Sequence, residues 1–409
     1  MRIWLKYLLG IALGVAFAVL LPPSGDQSQA VLDFVISIVV RFGRYTIMPL
    51  LFFSIATACF KLRDTRTMLK TGVLTFSTII FSSVLLVTIG LASALFIRLP
   101  RIPITIEKAG ELPSLDLQSL ISMVFPYSGF EALLQGSYLL PCFVLAGLAG
   151  AGAADDQTGS KQAMGFFDSM SKVCYIVMSL FTELLAVGMV AIACRWTVGF
   201  IALRKAETYL PLIMLLAGDL LLTALVIYPL ILRFLCHDPH PFRVLYASIC
   251  PFLVALFSGD TNLTLPLNIR HGKESLGIKH QVNAVTYPLF SIFARGGAAL
   301  VSSVCFIVIL RSYSMLAIKV STVLWIGIAS LLLSFVLGEH ASGGPFLAVS
   351  VMCMFYGGGF EAGYLLLKDA VPFICAFAAA FDALTAMFGS YIVAVKTDAV
   401  ERVELRKFI

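Results

Sequence analysis

Long apolar stretches at 4–21, 31–60, 71–97, 118–152, 165–201, 208–235, 283–310, 321–338 and 362–395 recur along the chain. Each approaches or exceeds the ~20 residues that an α-helix needs to cross the hydrocarbon core of a bilayer. In hydrocarbon every backbone N–H and C=O must be satisfied within the spanning element, which leaves few folds open. With 59% hydrophobic residues, 13% charged residues and a mean hydropathy of +0.96, the chain reads as an all-α polytopic membrane protein. A soluble domain carries roughly 25% charged residues. The net charge of +6 contains no block of five or six basic residues, so it sets loop orientation and does not point to nucleic acid.

The opening Met1-Arg2-Ile3-Trp4-Leu5-Lys6 and the apolar run after it have the charge and hydrophobicity of a secretory signal peptide, with small residues further on at Ser24 and Gly25. The length of the apolar core and the spans that follow favour a retained first helix. Lys61, Arg63, Arg66 and Lys70 lie between the second and third spans, whereas residues 22–29 carry no basic residue. The positive-inside rule then puts both termini in the cytoplasm of a multi-pass protein of the cell membrane, expected to be a bacterial inner membrane. Lys396, Arg402, Arg406 and Lys407, with Arg270, Lys273 and Lys279, support this for eight full crossings, although Arg204 and Lys205 fall outside. The nine cysteines are scattered without a CxxC pair, and so suggest neither a disulfide framework nor a metal site.

Two stretches break the pattern of simple spans. Residues 247–269 are apolar enough to enter the membrane, but their middle reads Phe257-Ser258-Gly259-Asp260-Thr261-Asn262-Leu263-Thr264-Leu265-Pro266. Its apolar arms, of about ten residues each, are too short to span, so the segment reads as a re-entrant hairpin whose tip is buried in protein or lines a cavity. The pattern returns where 321–337 is followed by Gly338-Glu339-His340-Ala341-Ser342-Gly343-Gly344-Pro345 and the apolar arm 346–355. Two interrupted segments, each followed by a long helix, suggest an inverted repeat with its binding site where the tips meet. Between them, in the apolar run 287–310, stand Arg295, Gly296 and Gly297. A guanidinium in a membrane span is costly and marks a functional site.

Several motifs follow one another in a telling order. They are Met48-Pro49-Leu50-Leu51-Phe52, then Phe125-Pro126-Tyr127-Ser128-Gly129-Phe130-Glu131-Ala132-Leu133 with Leu139-Leu140-Pro141, then Asp260-Thr261-Asn262-Leu263-Thr264-Leu265-Pro266-Leu267, Thr286-Tyr287-Pro288-Leu289 and Gly389-Ser390-Tyr391-Ile392-Val393-Ala394. They resemble the second helix, the fourth helix, the first hairpin, the start of the seventh helix and the end of the eighth in the glutamate transporter family, the dicarboxylate/amino acid:cation symporters. The resemblance implies eight transmembrane helices plus two re-entrant helical hairpins in an elevator-type inverted-repeat transporter fold, assembled as a homotrimer in the lipid bilayer. It places scaffold helices one and two in 1–70, transport-domain helix three in 71–98 and scaffold helices four and five in 118–206. The transport-domain core of helix six, first hairpin, helix seven, second hairpin and helix eight falls in 207–409, with the second hairpin as outer gate.

The chain departs from that family at its ligands. Where relatives unwind the seventh helix at Asn-Met-Asp-Gly-Thr to hold sodium, this sequence has Ala294-Arg295-Gly296-Gly297-Ala298. Counting back from Gly389, the family's ammonium-binding aspartate, carboxylate-binding arginine and sodium-binding aspartate fall on Cys375, Ala378 and Ala386, and its asparagine on Asp382. Only Ser82 and Ser83 keep a cation-ligand position. Losing a carboxylate together with a metal ion while gaining a guanidinium keeps the local charge roughly balanced, since arginine is permanently cationic with five donors. Arg295 is therefore expected to replace sodium, to pair with a substrate carboxylate, or to do both in turn. Asp382 is its expected partner or a proton carrier, and Asp260 a second acid within reach.

The expected substrate site comprises Asp260, Thr261, Asn262, Arg295, Ser342, Gly343, Gly344 and Asp382, with Ser82 and Ser83 as a residual cation site. No organic cofactor is expected; sodium coupling is altered or absent, and a proton is the alternative coupling ion. The expected function is secondary active transport of a small organic anion or amino acid by an elevator mechanism, with an anion channel or a non-transporting substrate receptor on the same fold as alternatives. No HExxH, GxSxG or P-loop stands in a suitable context, and the His237 and His240 loop lacks acids, which argues against an enzyme. Blander readings stay open: Arg295 and Asp382 as a structural ion pair, Asp260, Thr261 and Asn262 as helix caps, Ser342, Gly343 and Gly344 as a simple turn. Glu339 and His340 read as solvated. For Asp219, Glu183, Arg41 and Arg44, pairing at a lipid or subunit interface is expected.

Overall fold

The structure, a computed structural model, describes residues 2–20, 25–103, 124–134, 138–156, 158–314, 318–336, 338, 340, 342–401, 403–404 and 408–409, without the side chains of Asp26, Lys205 and Ala206. Glu339, Arg402, Arg406 and Lys407 lie outside the described residues, as does the 118–123 start of the expected fourth crossing. Among the described residues the chain is helical, with one isolated antiparallel bridge between Ile278 and Val400. Seven helices among them are long and apolar enough to cross a membrane: Ile3–Leu20, Gln27–Asp64, Met68–Phe96, Lys161–Arg204, Leu210–Leu235, His280–Tyr313 and Gly363–Lys396. The expected fourth crossing is represented by Gly129–Leu134 and Leu140–Asp155.

Local sequence explains where the long spans bend. The 31–60 stretch is two helices, Asp26–Tyr45 and Ile47–Asp64, separated at Thr46. Pro49 sits in the first turn of the second, where a missing N–H has no intrahelical acceptor to lose. The 208–235 stretch runs as Leu210–Leu222, a π turn over Thr223–Ile227, and Tyr228–Leu235. In an uninterrupted α-helix the Pro229 ring would strike the Leu225 carbonyl, and the widened turn just before it relieves that clash.

The first helix, Ile3–Leu20, lies along Lys161–Ala206. Gly10 and Gly14 make this possible, because a Cβ at either position would come within 2.4 Å of the Ala186 or Val190 carbonyl oxygen. The centre of the molecule is formed by the span His280–Tyr313 and the last helix, Val371–Lys396. Nearly all of their residues are buried, whereas most of the first helix is not, so they sit among other helices and the first helix sits at the rim.

Both expected hairpins are present. The first is Phe242–Ser258 and Thr261–Glu274, the second Val320–Val336 and Gly344–Tyr356. The arms of the first, 17 and 14 residues, exceed the expected ten. The polar residues beyond the apolar stretch stay helical because they find partners. Arg270, 8% exposed, gives Nη1 hydrogens to Thr182 Oγ1 at 2.7 Å and the Ser179 carbonyl at 2.9 Å. Its Nη2 reaches Glu183 at 3.3 Å, and Lys6 approaches the same carboxylate at 3.2 Å. Glu183 therefore pairs within the chain, against the expected interface role.

Candidate functional site

The span containing Arg295 is broken at that residue. His280–Phe293 ends at Ala294, with φ −84° and ψ 63°, and Arg295, with φ −93° and ψ 32°, precedes the restart at Gly296. The two glycines are required by close approach on both sides. A Cβ at Gly296 would lie 2.9 Å from Ser83 Cα, and one at Gly297 would lie 2.5 Å from the Ala378 carbonyl oxygen and 2.7 Å from Asp382 Oδ1. Helix Met68–Phe96 and the last helix thus clamp the start of Gly296–Tyr313, whose free amides and positive dipole end face the break.

Arg295 is 4% exposed. Its Nη1 donates to Thr261 Oγ1 at the tip of the first hairpin and lies 3.9 Å from Asp382 Oδ2. Asp382, 6% exposed, accepts the Gly297 N–H on Oδ1 at 2.7 Å. Among the described residues, Nε and Nη2 of Arg295 have no hydrogen-bond partner. Buried donors normally have one, so this pair is notable. The guanidinium lines a cavity of about 10 Å³ together with Thr261, Ala298, Cys375, Ala378, Ala379 and Asp382, and the backbones of Gly259, Gly343 and Gly344 close it. That volume holds no more than about one water molecule, so a larger ligand requires the lining to move apart.

The sequence-expected residues divide accordingly. Thr261, Arg295, Gly343, Gly344 and Asp382 converge on the cavity, and exposed His340 stands at its edge. Gly343 adopts φ +84°, a left-handed conformation suited to glycine, as it starts Gly344–Tyr356. Asp260 does not line the cavity. Its Oδ1 caps the helix that follows by accepting the Asn262 and Leu263 N–H groups at 2.9 and 3.2 Å, and its Oδ2 accepts from Arg44. Arg44 therefore pairs with the first hairpin and not at a lipid or subunit interface. Asn262 is buried next to Ser291, and Ser342 is exposed; neither lines the cavity.

Ser82 and Ser83 face different surroundings. Ser82 lines a separate 310 Å³ cleft with Tyr228, Thr385 and Lys396, and Ser83 is fully buried against Gly296 with its hydroxyl unpaired among the described residues. Among the lining residues, Ala379 carried no signal in the sequence, and Gly259 only as part of the first-hairpin tip. Cys375 and Ala378 did, through the positions at which the chain departs from the glutamate transporters.

The model of the sodium:dicarboxylate symporter family matches residues 3–396. The chain belongs to this family. Among curated proteins it is similar to the serine/threonine transporter SstT of Enterococcus faecalis, 26% identical over 238 residues, which is 56% of this chain and 52% of that protein. The chain thus matches about half the length of this relative. Family membership and the apolar helices make it a multi-pass membrane protein, in agreement with the order of motifs in the sequence.

Proposed function

We propose that the protein is a secondary transporter for a small amino acid, whose carboxylate binds Arg295 and whose ammonium faces Asp382. The observation that carries this reading is the buried guanidinium with Nε and Nη2 unpartnered beside the cavity. Those two N–H groups form one edge of the guanidinium, the fork that matches both oxygens of a carboxylate. Asp382 Oδ2, 3.9 Å from Arg295 Nη1, remains to accept from an ammonium. Arginine, aspartate and a zwitterion together carry no net charge, which limits the penalty of burying them. Ala298, Ala378 and Ala379 with three glycines suit a short side chain, in keeping with the serine/threonine transport named for the Enterococcus relative.

Sodium coupling is altered or absent in this reading, because a metal ion beside Arg295 meets a like charge at short range. An elevator in a homotrimer with both termini cytoplasmic belongs to the same proposal, with 1–70 and 118–206 as scaffold and 71–98 and 207–409 as the moving unit. The packing of the first helix along Lys161–Ala206 supports that division.

The test is uptake of labelled serine into proteoliposomes, with and without a sodium gradient. Saturable uptake competed by threonine and independent of sodium is expected, and Arg295→Ala should weaken the apparent affinity at least about tenfold, the worth of a charged hydrogen bond. Unchanged affinity in Arg295→Ala overturns the site. Strict sodium dependence overturns the replacement of the metal by Arg295, and currents linear in anion concentration favour a channel.

A further inference from the structure

Asp219 takes no part in the site above, and its surroundings suit a proton better than a salt bridge. It is 4% exposed, within the membrane-spanning helix Leu210–Leu222 and one turn before the π segment Thr223–Ile227. Its Oδ2 lies 2.6 Å from Ser93 Oγ on Met68–Phe96. Among the described residues it has no ion-pair partner.

Ser93 Oγ also lies 3.1 Å from the Gly90 carbonyl oxygen. A hydroxyl carries a single hydrogen, so it cannot serve both neighbours as donor. The arrangement closes when the carboxyl is protonated: Asp219 donates from Oδ2 to Ser93, and Ser93 donates to Gly90. An ionised Asp219 would instead stand in a membrane span without a counter-charge, a state such groups escape by neutralising.

The charged groups on the elements packed around Leu210–Leu222 are otherwise placed. On Met68–Phe96, Lys70 is at the opposite end from Ser93. On the last helix, Asp382 is held by Gly297 and Arg295, and Lys396 is at the terminus. Arg311, on the helix beyond Met68–Phe96, gives its hydrogens to the Leu95 and Ile97 carbonyls at 3.2 and 3.1 Å. The π segment follows Asp219 on the same span, which then packs on the last helix. Thr223 Oγ1 donates to the Asp219 carbonyl at 2.7 Å, and just past the segment Tyr228 Oη meets Thr385 Oγ1 at 2.5 Å, three residues from Asp382. Such widened turns recur at functional positions because their register can shift.

We propose that Asp219 is a proton-binding site of the carrier, loaded from water on one side of the membrane and unloaded on the other. On loading, a hydronium ion gives its proton to Oδ2, forming an O–H bond and leaving water; on unloading that bond breaks and the proton returns to water. This rests on the reading of the protein as a coupled carrier. It makes Asp219, outside the substrate cavity, the coupling group.

Two measurements test it separately from substrate binding. Infrared difference spectra of wild type against Asp219→Asn should show, at neutral pH, the carbonyl stretch of a protonated carboxyl that shifts in D₂O and is missing from the variant. Ser93→Ala, which keeps the acid, should move that band to higher frequency as the O–H loses its acceptor. In proteoliposomes an inward gradient of one pH unit supports up to about tenfold accumulation of serine per coupled proton. Asp219→Asn should retain serine exchange but accumulate no more than onefold. Absence of the band, its insensitivity to Ser93→Ala, or undiminished pH-driven accumulation in Asp219→Asn overturns the proposal. Failure of the wild type to exchange serine overturns the transport reading instead, while the infrared band still decides whether Asp219 holds a proton.

Discussion

The Arg44–Asp260 pair lends itself to a quantitative test, because Asp260 does two separable jobs. One oxygen caps Thr261–Glu274 and the other accepts from Arg44, and the side chains are 6% and 27% exposed. Asp260→Asn keeps the cap, since asparagine is among the best N-cap residues, and removes only the charge. A charge-assisted hydrogen bond contributes about 1.5–3 kcal/mol. Arg44 is more than a quarter exposed and can rehydrate, so the loss should fall near the lower end, about 2 kcal/mol. Asp260→Ala should lose about 1 kcal/mol more, the usual worth of a cap. Arg44→Gln strands a nearly buried carboxylate and should cost about 3 kcal/mol. Denaturant unfolding in detergent micelles, run as a double-mutant cycle of Asp260→Asn and Arg44→Gln, should therefore give a coupling of about 1.5 kcal/mol. Single losses that simply add, within about 0.5 kcal/mol, would refute the pairing. Equal stability of Asp260→Asn and Asp260→Ala would refute the cap.

Gly297→Ala places a Cβ 2.5 Å from the Ala378 carbonyl and should destabilise by about 1–3 kcal/mol in the same unfolding assay. A change within about 0.5 kcal/mol would mean that the last helix does not press on the break. Serine at roughly 100 times its dissociation constant should raise apparent stability by about 2.7 kcal/mol in a thermal-shift experiment. The increment should vanish in Arg295→Ala, and its survival there would put the carboxylate elsewhere. Gly10→Leu should detach the first helix from Lys161–Ala206, where even a Cβ lies 2.4 Å from the Ala186 carbonyl. Protease sensitivity of the N-terminal segment reports this, and wild-type resistance would contradict the packing.

The hairpins and the functional mark at Arg295 were legible because each is written in contiguous residues, and the resemblance implied that the span unwinds there. A polar tip between apolar arms cannot stay in hydrocarbon unprotected, and Arg295-Gly296-Gly297 combines a costly charge with the two residues that permit close approach. The meeting of Arg295 with Asp382 was also in reach, through the resemblance to the family's eighth helix counted from Gly389. Asp260 was harder. Its type suited both a cap and a ligand, and only the position of Arg44, 216 residues earlier, shows which way the carboxylate is used. Ser342 and Asn262 illustrate the same ambiguity: both lie at hairpin tips, yet the turn directs one to the surface and the other toward Ser291, away from the cavity lining.

By itself the sequence determined a helical membrane protein with two interrupted segments and a costly guanidinium inside an apolar run, while the break at Arg295 was implied by the family resemblance. The transfer of apolar side chains and of backbone amides into hydrocarbon acts on each segment alone, so the length and interruption of each run suffice. The tertiary structure decided which polar groups meet: Arg44 with Asp260, Arg270 with Glu183, and Asp219 with the Ser93 hydroxyl. Such pairs depend on the depth and rotation of helices far apart in the chain. Those are set by close packing at glycines such as Gly10, Gly14, Gly296 and Gly297, and the apolar pattern of a single span does not carry them.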